Sequence, residues 1–335
     1  MSNRAPIISV IIPVYRVSSL IERSLNSIIN QTFRDFELVL VDDCGGDNSI
    51  EIAEELLAAS WQRGIFKIEY NNSNLGVSAS RQRGMEVASG DYIIHLDSDD
   101  YFEPNLLEML YSSLIDTDSE IAVCGYWIEK KGFSERYYSS LSHITPFVIE
   151  GIEERSRYIG EILANKAPSA LWNKLVKREV YERGEVSFLP HLRDDLSVSP
   201  LLVMTAKKVV VIPDALVHYV MFNAASVSYT IGHLKLVAAA LNYLETRLSD
   251  EIKESCGREI FTYKVRIRRR LMLHRDMPVS SIDSVLNLFP EVNPELKAGN
   301  NPEKKRHFKL LARISAGGNT FLLRGMVRIL KILPS

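Results

Sequence analysis

Two apolar runs in this chain of 335 residues end in carboxylates, and that placement is its first sign of chemistry. FELVLV (36–41) is followed by Asp42 and Asp43, and YIIHL (92–96) by Asp97, Ser98, Asp99 and Asp100. In open α/β sheets ligands bind outside the carboxyl ends of the strands, so these residues are read first. If both runs are strands of one sheet, several carboxylates share a rim, where two anions about 4 Å apart repel by about 4 kcal/mol at an effective dielectric of roughly 20. A divalent cation relieves that repulsion, and donors made only of oxygen favour Mg²⁺ or Mn²⁺ over zinc. Aspartates ahead of a helix also act as caps, and Asp97 and Asp100 precede a helix expected near Pro104. A single Asp there reads as a cap; D-x-D-D directly after an apolar strand favours the metal. A second acidic pair, Asp194 and Asp195, opens an apolar helical segment carrying Leu196, Val198, Leu201 and Leu202. One of the two could remove a proton as a general base, and either could cap the helix.

The frame that would position these residues is legible in the periodicity. Short β-rich runs alternate with helical patterns: IISVII (7–12), a helix near 18–30, FELVLV, a helix near 48–62, FKIEY (66–70), a helix near 77–88, then YIIHL. Repeated βαβ predicts a parallel sheet. The first two strands are apolar on both faces, as suits a sheet covered by helices on both sides. Gly45-Gly46 and Asn71-Asn72-Ser73-Asn74 punctuate loops that follow strand carboxyl ends. A helix at 105–115 and a strand EIAVCGY (120–126) come next. Residues 127–190 are irregular and aromatic, with Trp127, Phe133, Tyr137, Tyr138, Phe147, Tyr158 and Trp172, and suit either an acceptor-facing segment or a second hydrophobic cluster. KVVVI (208–212) predicts a strand ahead of Pro213, and beyond Gly232 helices are expected near 233–248, 251–273 and 303–331. There is no internal repeat and no low-complexity tract.

Hydrophobic residues at 46% and charged residues at 24% fit a soluble globular protein, and the length suggests one large domain with an appendage. Cys44, Cys124 and Cys256 form an odd set without CxxC or metal-ligand spacing. That argues against a disulfide framework or a structural zinc site and suits a reducing, cytoplasmic setting. The apolar stretch after Arg4 reads as a first strand rather than a signal peptide, because Pro13 interrupts it and no small-residue cleavage site follows. No apolar run approaches the roughly 18 residues of a spanning helix, so the protein is expected to be soluble or peripheral. The formal net charge of −2 hides an asymmetry: residues 1–231 carry 21 Lys+Arg against 32 Asp+Glu, and residues 232–335 carry 19 against 10. Residues 303–335 alone hold eight Lys+Arg against Glu303, interspersed with apolar side chains. Basic amphipathic helices bind anionic bilayers; a helix packed on the rest of the chain or on a dimer partner has the same pattern.

SVIIPVY (9–15), SIINQTFRDFELVLVDD (27–43), NLGVSASRQRG (74–84) and ASGDYIIHLDSDD (88–100), in this order and spacing, resemble the family-2 glycosyltransferases of bacterial polysaccharide synthesis. WNKL (172–175), RDDLSVSPLL (193–202) and HYVMFNAASVS (218–228) resemble that family's second half more loosely, and residues past about 232 match nothing in it. The resemblance implies a GT-A fold: an α/β domain with a mostly parallel central sheet flanked by helices, here with a helical C-terminal extension. Residues 1–104 would be the nucleotide-sugar-binding half, 105–231 the acceptor-binding half and 232–335 a basic helical region. The implied reaction is metal-dependent, inverting hexosyl transfer from a nucleotide diphosphate sugar, preferably a UDP-sugar, to a glycan or lipid-linked glycan in capsule, O-antigen or exopolysaccharide synthesis. The implied place is the cytoplasm, with peripheral contact to an anionic membrane surface.

The resemblance also assigns residues. Pro13 and Tyr15 would border the nucleobase, with Tyr15 stacked on it, and Asp43 would accept a hydrogen bond from uracil N3–H. Asp42 and Ser98 complete the donor-binding set. Asp97 and Asp99 are the DxD equivalents, with Asp99 the direct ligand of an Mn²⁺ or Mg²⁺ ion between the donor phosphates. Arg81 falls at the arginine of the family's alanine-arginine-asparagine run, where a guanidinium can hold a diphosphate bidentately. Ser80 and Gln82 depart from that run, Arg83 competes for the phosphate, and Arg16 replaces the asparagine that usually follows the tyrosine. Asp195 stands at the base position, and Asp194 replaces a glutamate with either a direct or a capping role. Trp172, Asn173 and Lys174 would border the acceptor or the diphosphate. Other readings stand on the residues alone: Tyr15 as a core aromatic, Asp42 or Asp43 as the start of an Asx turn, the arginines on an exposed helix face, and WNKL as a surface turn over a buried Trp172. The isolated His191 and His218 read as structural.

Competing functions fit less well. A dinucleotide-binding dehydrogenase needs G-x-G-x-x-G after the first strand, where Pro13-Val14-Tyr15-Arg16 stands instead. A processive synthase would bring a QxxRW-type motif and spanning segments. A catalytically inactive nucleotide-sugar or carbohydrate-binding relative would have no use for both the DxD carboxylates and Asp195. Nucleic-acid binding calls for interleaved aromatics or a recognised fold, and Lys264–Arg275 offers neither, so no nucleic acid is expected as a partner.

Overall fold

The computed structural model describes residues 5–60, 66–130, 133–137 (backbone only), 145–221 and 230–332. Tyr138, the predicted helix end at 61–62 and most of the 218–228 stretch lie outside them. The chain divides into two compact units, Met1–Ser226 and Val227–Ser335.

The first unit is built on one mixed sheet. Its strands are β1 (Ile8–Val14), β2 (Phe36–Asp42), β3 (Phe66–Tyr70), β4 (Tyr92–His95), β5 (Tyr101–Phe102), β6 (Ile121–Lys130), β7 (Phe133–Tyr137), β8 (Phe147–Glu150), β9 (Lys174–Lys177) and β10 (Lys208–Val220). The spatial order is β3-β2-β1-β4-β9-β6-β10-β5, with β7 on β6 and β8 on β10. The four strands of the predicted βαβ repeat are parallel, and β6 runs parallel to β10. The short β9 is antiparallel to both β4 and β6 and welds the two halves into one sheet across the 104/105 boundary. Helices α1 (Ile21–Ile29), α2 (Ser49–Ser60), α3 (Val77–Val87), α4 (Leu106–Thr117), α5 (Gly151–Leu163), α6 (Arg178–Arg183) and α7 (Asp194–Thr205) complete the unit.

Every residue of β1 is buried, as its apolar run requires of a strand covered on both faces. The core gathers Val10, Ile12, Leu38, Leu40 and Ile94 from the sheet with Leu25 and Ile28 of α1 and Leu106 and Leu110 of α4. Two expectations change. β10 does not stop before Pro213: its register against β6 shifts between Val211 and Ala215, and this irregularity accommodates the proline, which has no N–H for a regular ladder. Neither Asp97 nor Asp100 caps the helix near Pro104; α4 begins at Leu106 with Asn105 ahead of it.

The second unit is helical: α8 (Ile231–Arg247), α9 (Asp250–Ser255), α10 (Gly257–Leu273), a 3₁₀ turn (Val279–Ser281), α11 (Ile282–Leu286), α12 (Val292–Lys297), α13 (Arg306–Gly317) and α14 (Thr320–Ile332). The predicted helix at 251–273 breaks at Cys256, and that at 303–331 breaks at Gly317-Gly318, where Gly318 takes a φ of 74° that terminates α13 in the left-handed region. Inside, the Lys264 ammonium lies 2.6 Å from both Glu245 and Glu291.

Candidate active site

Parallel β1 and β2 end in register, Val14 opposite Asp42, and the chain leaves β1 for β2 and β3 on one side but returns to β4 on the other. This reversal opens a crevice at the carboxyl ends of β1, β2 and β4. Tyr15, Asp43 and Asp97 are the residues that leave those ends, so the topology alone brings these three to one rim.

On the β1–β2 side, Pro13 is buried and Tyr15 is exposed, with the Arg16 guanidinium 5.2 Å from its ring centroid. Arg16 has a φ of 53° and donates from Nε to the Gly45 carbonyl at 3.0 Å, so it ties the loop after β1 to the loop after β2. Asp42 accepts from the Cys44 N–H at 3.1 Å, which is the Asx turn foreseen for one of the pair. Asp43 is buried and organises the next loop: Oδ1 accepts from Asn71 Nδ2 at 2.9 Å and Leu75 N at 2.8 Å, and Oδ2 from Gly76 N at 2.9 Å. Gly76 sits at a φ of 86° as it starts α3, a conformation that favours glycine. Oδ2 thus keeps acceptor capacity beyond its one bond.

Across the crevice, Arg81 of α3 joins the end of β4 to the start of α7. Its guanidinium pairs with Asp97 Oδ1 on one side and Asp194 Oδ2 on the other. Burial works against the charge on Arg81, but Asp194 and Asp97 outweigh it and hold the group above its usual value. Burial also pushes the Asp97 carboxyl above the usual range, with Arg81 opposing and Asp99 and Asp194 adding to the shift. Asp194 is buried and its Oδ1 accepts from the Asp195 N–H at 3.0 Å. Asp195 is partly exposed in the first turn of α7, its carboxylate paired with Arg193 Nε at 2.6 Å and with the other guanidinium nitrogen. Arg83 faces away and pairs with Glu69 at 2.9 Å, the exposed-face arrangement foreseen as an alternative.

Ser98 is buried, and Asp99 is partly exposed. Asp100 is fully buried and accepts from the Val220 N–H at 2.8 Å, tying the DxD turn to β10; burial, then Asp99 and Asp97, push its carboxyl well above the usual range. Among the described residues no three His, Cys, Asp or Glu side chains gather to enclose an ion by themselves. Sequence reasoning missed the support behind Asp99: Arg23 of α1 donates to the Asp99 carbonyl at 3.2 Å and lies over the Tyr101 ring. Tyr101 in turn stacks on His218, whose two ring nitrogens lie 2.8 Å from Glu129 and Glu103. No sequence motif marks this ladder, because it is assembled across β5, β6 and β10.

The WNKL residues are scaffold rather than rim. Trp172 is buried in the core against Tyr126 and Tyr219. Asn173 is fully buried and donates to the Cys124 carbonyl at 2.7 Å. The buried Lys174 ammonium donates to the carbonyls of Pro168 (2.9 Å) and Ala170 (2.6 Å), and burial lowers its pKa to about 7. A ligand-facing role was expected for all three, yet Trp172 is packed in the core and the amide nitrogen of Asn173 and the ammonium of Lys174 are spent on the protein's own carbonyls.

Comparison with known proteins agrees with this fold. The glycosyl transferase family 2 model matches residues 9–183. The cholesterol galactosyltransferase of Borreliella burgdorferi is 28% identical over 250 residues, 73% of this chain and 68% of its own. The glycosyltransferase GlyA of Streptococcus pneumoniae is 29% identical over 63% of this chain but only 30% of its own length. The poly(ribitol-phosphate) β-N-acetylglucosaminyltransferase TarP of Staphylococcus aureus is 31% identical over 38% of each. Among solved structures, residues 1–349 of S. aureus TarS with UDP-GlcNAc superpose with a TM-score of 0.72 at 18% identity, covering 96% of this chain and 90% of that one, so the first unit and its helical extension share that GT-A architecture. The family model ends before α7 and does not reach the Asp194-Asp195 pair. Reaching from β1 through α6, over more than half of the chain, that match makes the protein a member of glycosyl transferase family 2.

Proposed function

We propose that this glycosyltransferase moves a sugar from a UDP-sugar to a hydroxyl of a glycan or lipid-linked glycan during bacterial surface polysaccharide synthesis, with inversion at the anomeric carbon. The observation that carries the reading is the juxtaposition, through Arg81, of the DxD carboxylate Asp97 with the acidic start of α7. Donor-binding and base-bearing elements thereby face one crevice. TarS binds UDP-GlcNAc and UDP on the same fold, which favours a uridine donor.

Tyr15 offers an exposed ring for the base at the end of β1, and the remaining acceptor capacity of Asp43 Oδ2 suits an imide N–H. Asp97 and Asp99 supply only oxygen, the donor chemistry of Mn²⁺ or Mg²⁺, and two carboxylates completed by donor phosphates are a usual way to hold such an ion. A mannosyltransferase of Pyrobaculum calidifontis with a related fold, TM-score 0.55, carries GDP-Man and Mn²⁺. When bound, the ion neutralises the leaving diphosphate. Arg81 orients Asp97 from behind. Asp195, on a helix N-terminus that favours an anion, takes the proton of the attacking acceptor hydroxyl, with Arg193 aiming its carboxylate. Asp194 is the anchor of the pair rather than its base.

No helix among the described residues is long and apolar enough to cross a membrane. We assign the protein a peripheral place on the anionic inner face of the cytoplasmic membrane, where lipid-linked acceptors are found. Nucleotide release from a panel of UDP- and GDP-sugars with Mn²⁺, with and without glycan acceptors, tests the reading. Acceptor-stimulated UDP release is expected; release that no acceptor accelerates, or that occurs with GDP-sugars alone, would overturn it.

A further inference from the structure

The peripheral-membrane reading lacks a surface, and α13 and α14 supply one. Both helices are two-faced. Leu311, Ala312, Ser315 and Ala316 of α13 and Leu323 and Val327 of α14 are buried. The opposite faces leave Leu310 53%, Phe321 85%, Leu322 54% and Ile329 62% exposed, large apolar groups that a soluble surface rarely concentrates on one hairpin. Interleaved with them are cations. Arg324 is engaged by Asp283 and Lys331 by the Met277 carbonyl, but among the described residues no carboxylate pairs with Lys304, Lys305, Arg306, Lys309, Arg313 or Arg328. Residues 304–332 contain no Asp or Glu at all.

We propose that the outward faces of α13 and α14 form an interfacial docking surface for an anionic phospholipid bilayer. Phe321, Leu322, Ile329 and Leu310 enter the headgroup–acyl boundary, while the six cations meet lipid phosphates. Charge decides between this occupant and a second copy of the chain. A two-fold interface sets one patch against itself, and here that would press cations on cations with no acid to answer them. An anionic bilayer is complementary to both components of the surface. The proposal rests on the peripheral reading and specifies where contact is made.

Co-sedimentation of the full chain with phosphatidylglycerol or phosphatidylcholine vesicles tests it. Wild type is expected to partition onto the anionic vesicles and to be released by about 1 M salt, where the Debye length shrinks to about 3 Å. The triple variant Lys309→Glu, Arg313→Glu, Arg328→Glu should partition at least about a hundred-fold less. Phe321→Ser with Ile329→Ser should also weaken partitioning, which a purely ionic contact with some other polyanion would not show. Arg34→Glu, Arg258→Glu, Lys297→Glu makes the same change in charge at exposed positions off this surface and should retain partitioning within about two-fold. Transfer to a water-soluble acceptor, followed in the same variants, should stay at the wild-type rate, so loss of docking is read apart from loss of chemistry. Failure of wild type to bind anionic vesicles overturns the peripheral reading and the surface together. Wild-type binding lost equally in the control variant overturns the surface alone, as does a concentration-dependent dimer that the α13–α14 variants abolish.

Discussion

Replacing Arg81 by methionine removes the guanidinium that joins the end of β4 to the start of α7. The side chains of Arg81 and Asp194 are 5% and 3% exposed, so water screens their attraction little. Asp97 is 34% exposed, and its share falls toward the roughly 0–1 kcal/mol of surface pairs. Breaking a buried pair by deleting one partner costs about 3–5 kcal/mol. Arg81→Met should cost that much, mostly through Asp194, which keeps a bond from the Asp195 N–H but loses its counter-charge. Asp194→Asn should cost about 2 kcal/mol, since Arg81 retains Asp97. In the double variant nothing charged is stranded at Asp194, so its cost should fall about 2 kcal/mol short of the sum of the singles. Tryptophan fluorescence during urea unfolding is the assay, because Trp61, Trp127 and Trp172 all lie in Met1–Ser226 and report that unit alone. Costs that add to within about 0.5 kcal/mol would refute the bridge.

Asp99→Asn should abolish metal-supported binding of a UDP-sugar while leaving the circular dichroism unchanged; calorimetry with Mn²⁺ checks it, and undiminished affinity removes Asp99 from the metal site. Lys174→Met should lower the stability of the first unit by about 1–3 kcal/mol by freeing two buried carbonyls, with donor affinity within about two-fold of wild type; a large fall in affinity at unchanged stability would restore Lys174 to the ligand site. Burial raises the Glu37 pKa, but Lys67, Ser9 and Ser89 outweigh it and hold the carboxyl below its ordinary 4.5. Its folded value lies below its unfolded one, so the stabilisation is present above about pH 4.5 and is lost as pH falls through the folded value. Glu37→Gln should therefore flatten the acid limb of the fluorescence-detected stability curve, and a limb as steep as in wild type would sink this account.

The parallel half of the sheet was readable because β1 and β2 are apolar on both faces and helical patterns alternate regularly with the β-rich runs through β4. The Asp97–Asp100 run follows a strand end directly, so its position was fixed once the strand was. The remaining sheet was harder. β9 spans four residues and β5 two, too short for any period to emerge, and both owe their pairing to strands distant in sequence. Trp172, Asn173 and Lys174 misled for a related reason: polar residues beside a tryptophan suggest a ligand rim, and only the fold reveals that Lys174 faces backbone carbonyls. Arg81 was expected to hold the donor diphosphate; its guanidinium pairs with Asp97 and Asp194 instead, which depends on α3 and α7 meeting and is not encoded in the local sequence. The break between α13 and α14 was available in Gly317-Gly318 and was overridden by the continuous amphipathic pattern around it.

In the proposed mechanism Asp195 performs the chemistry while Asp97 and Asp99, with Arg81 behind Asp97, serve the donor. This division of roles is tested most directly by measuring turnover and donor affinity together for Asp195→Asn, using the acceptor identified by UDP release. General-base catalysis contributes about 10²–10⁴-fold, so turnover should fall by that factor while the donor dissociation constant stays within about three-fold. Near-normal turnover in Asp195→Asn, with the loss appearing instead in Asp194→Asn, would contradict the account and move the base to the buried partner of Arg81.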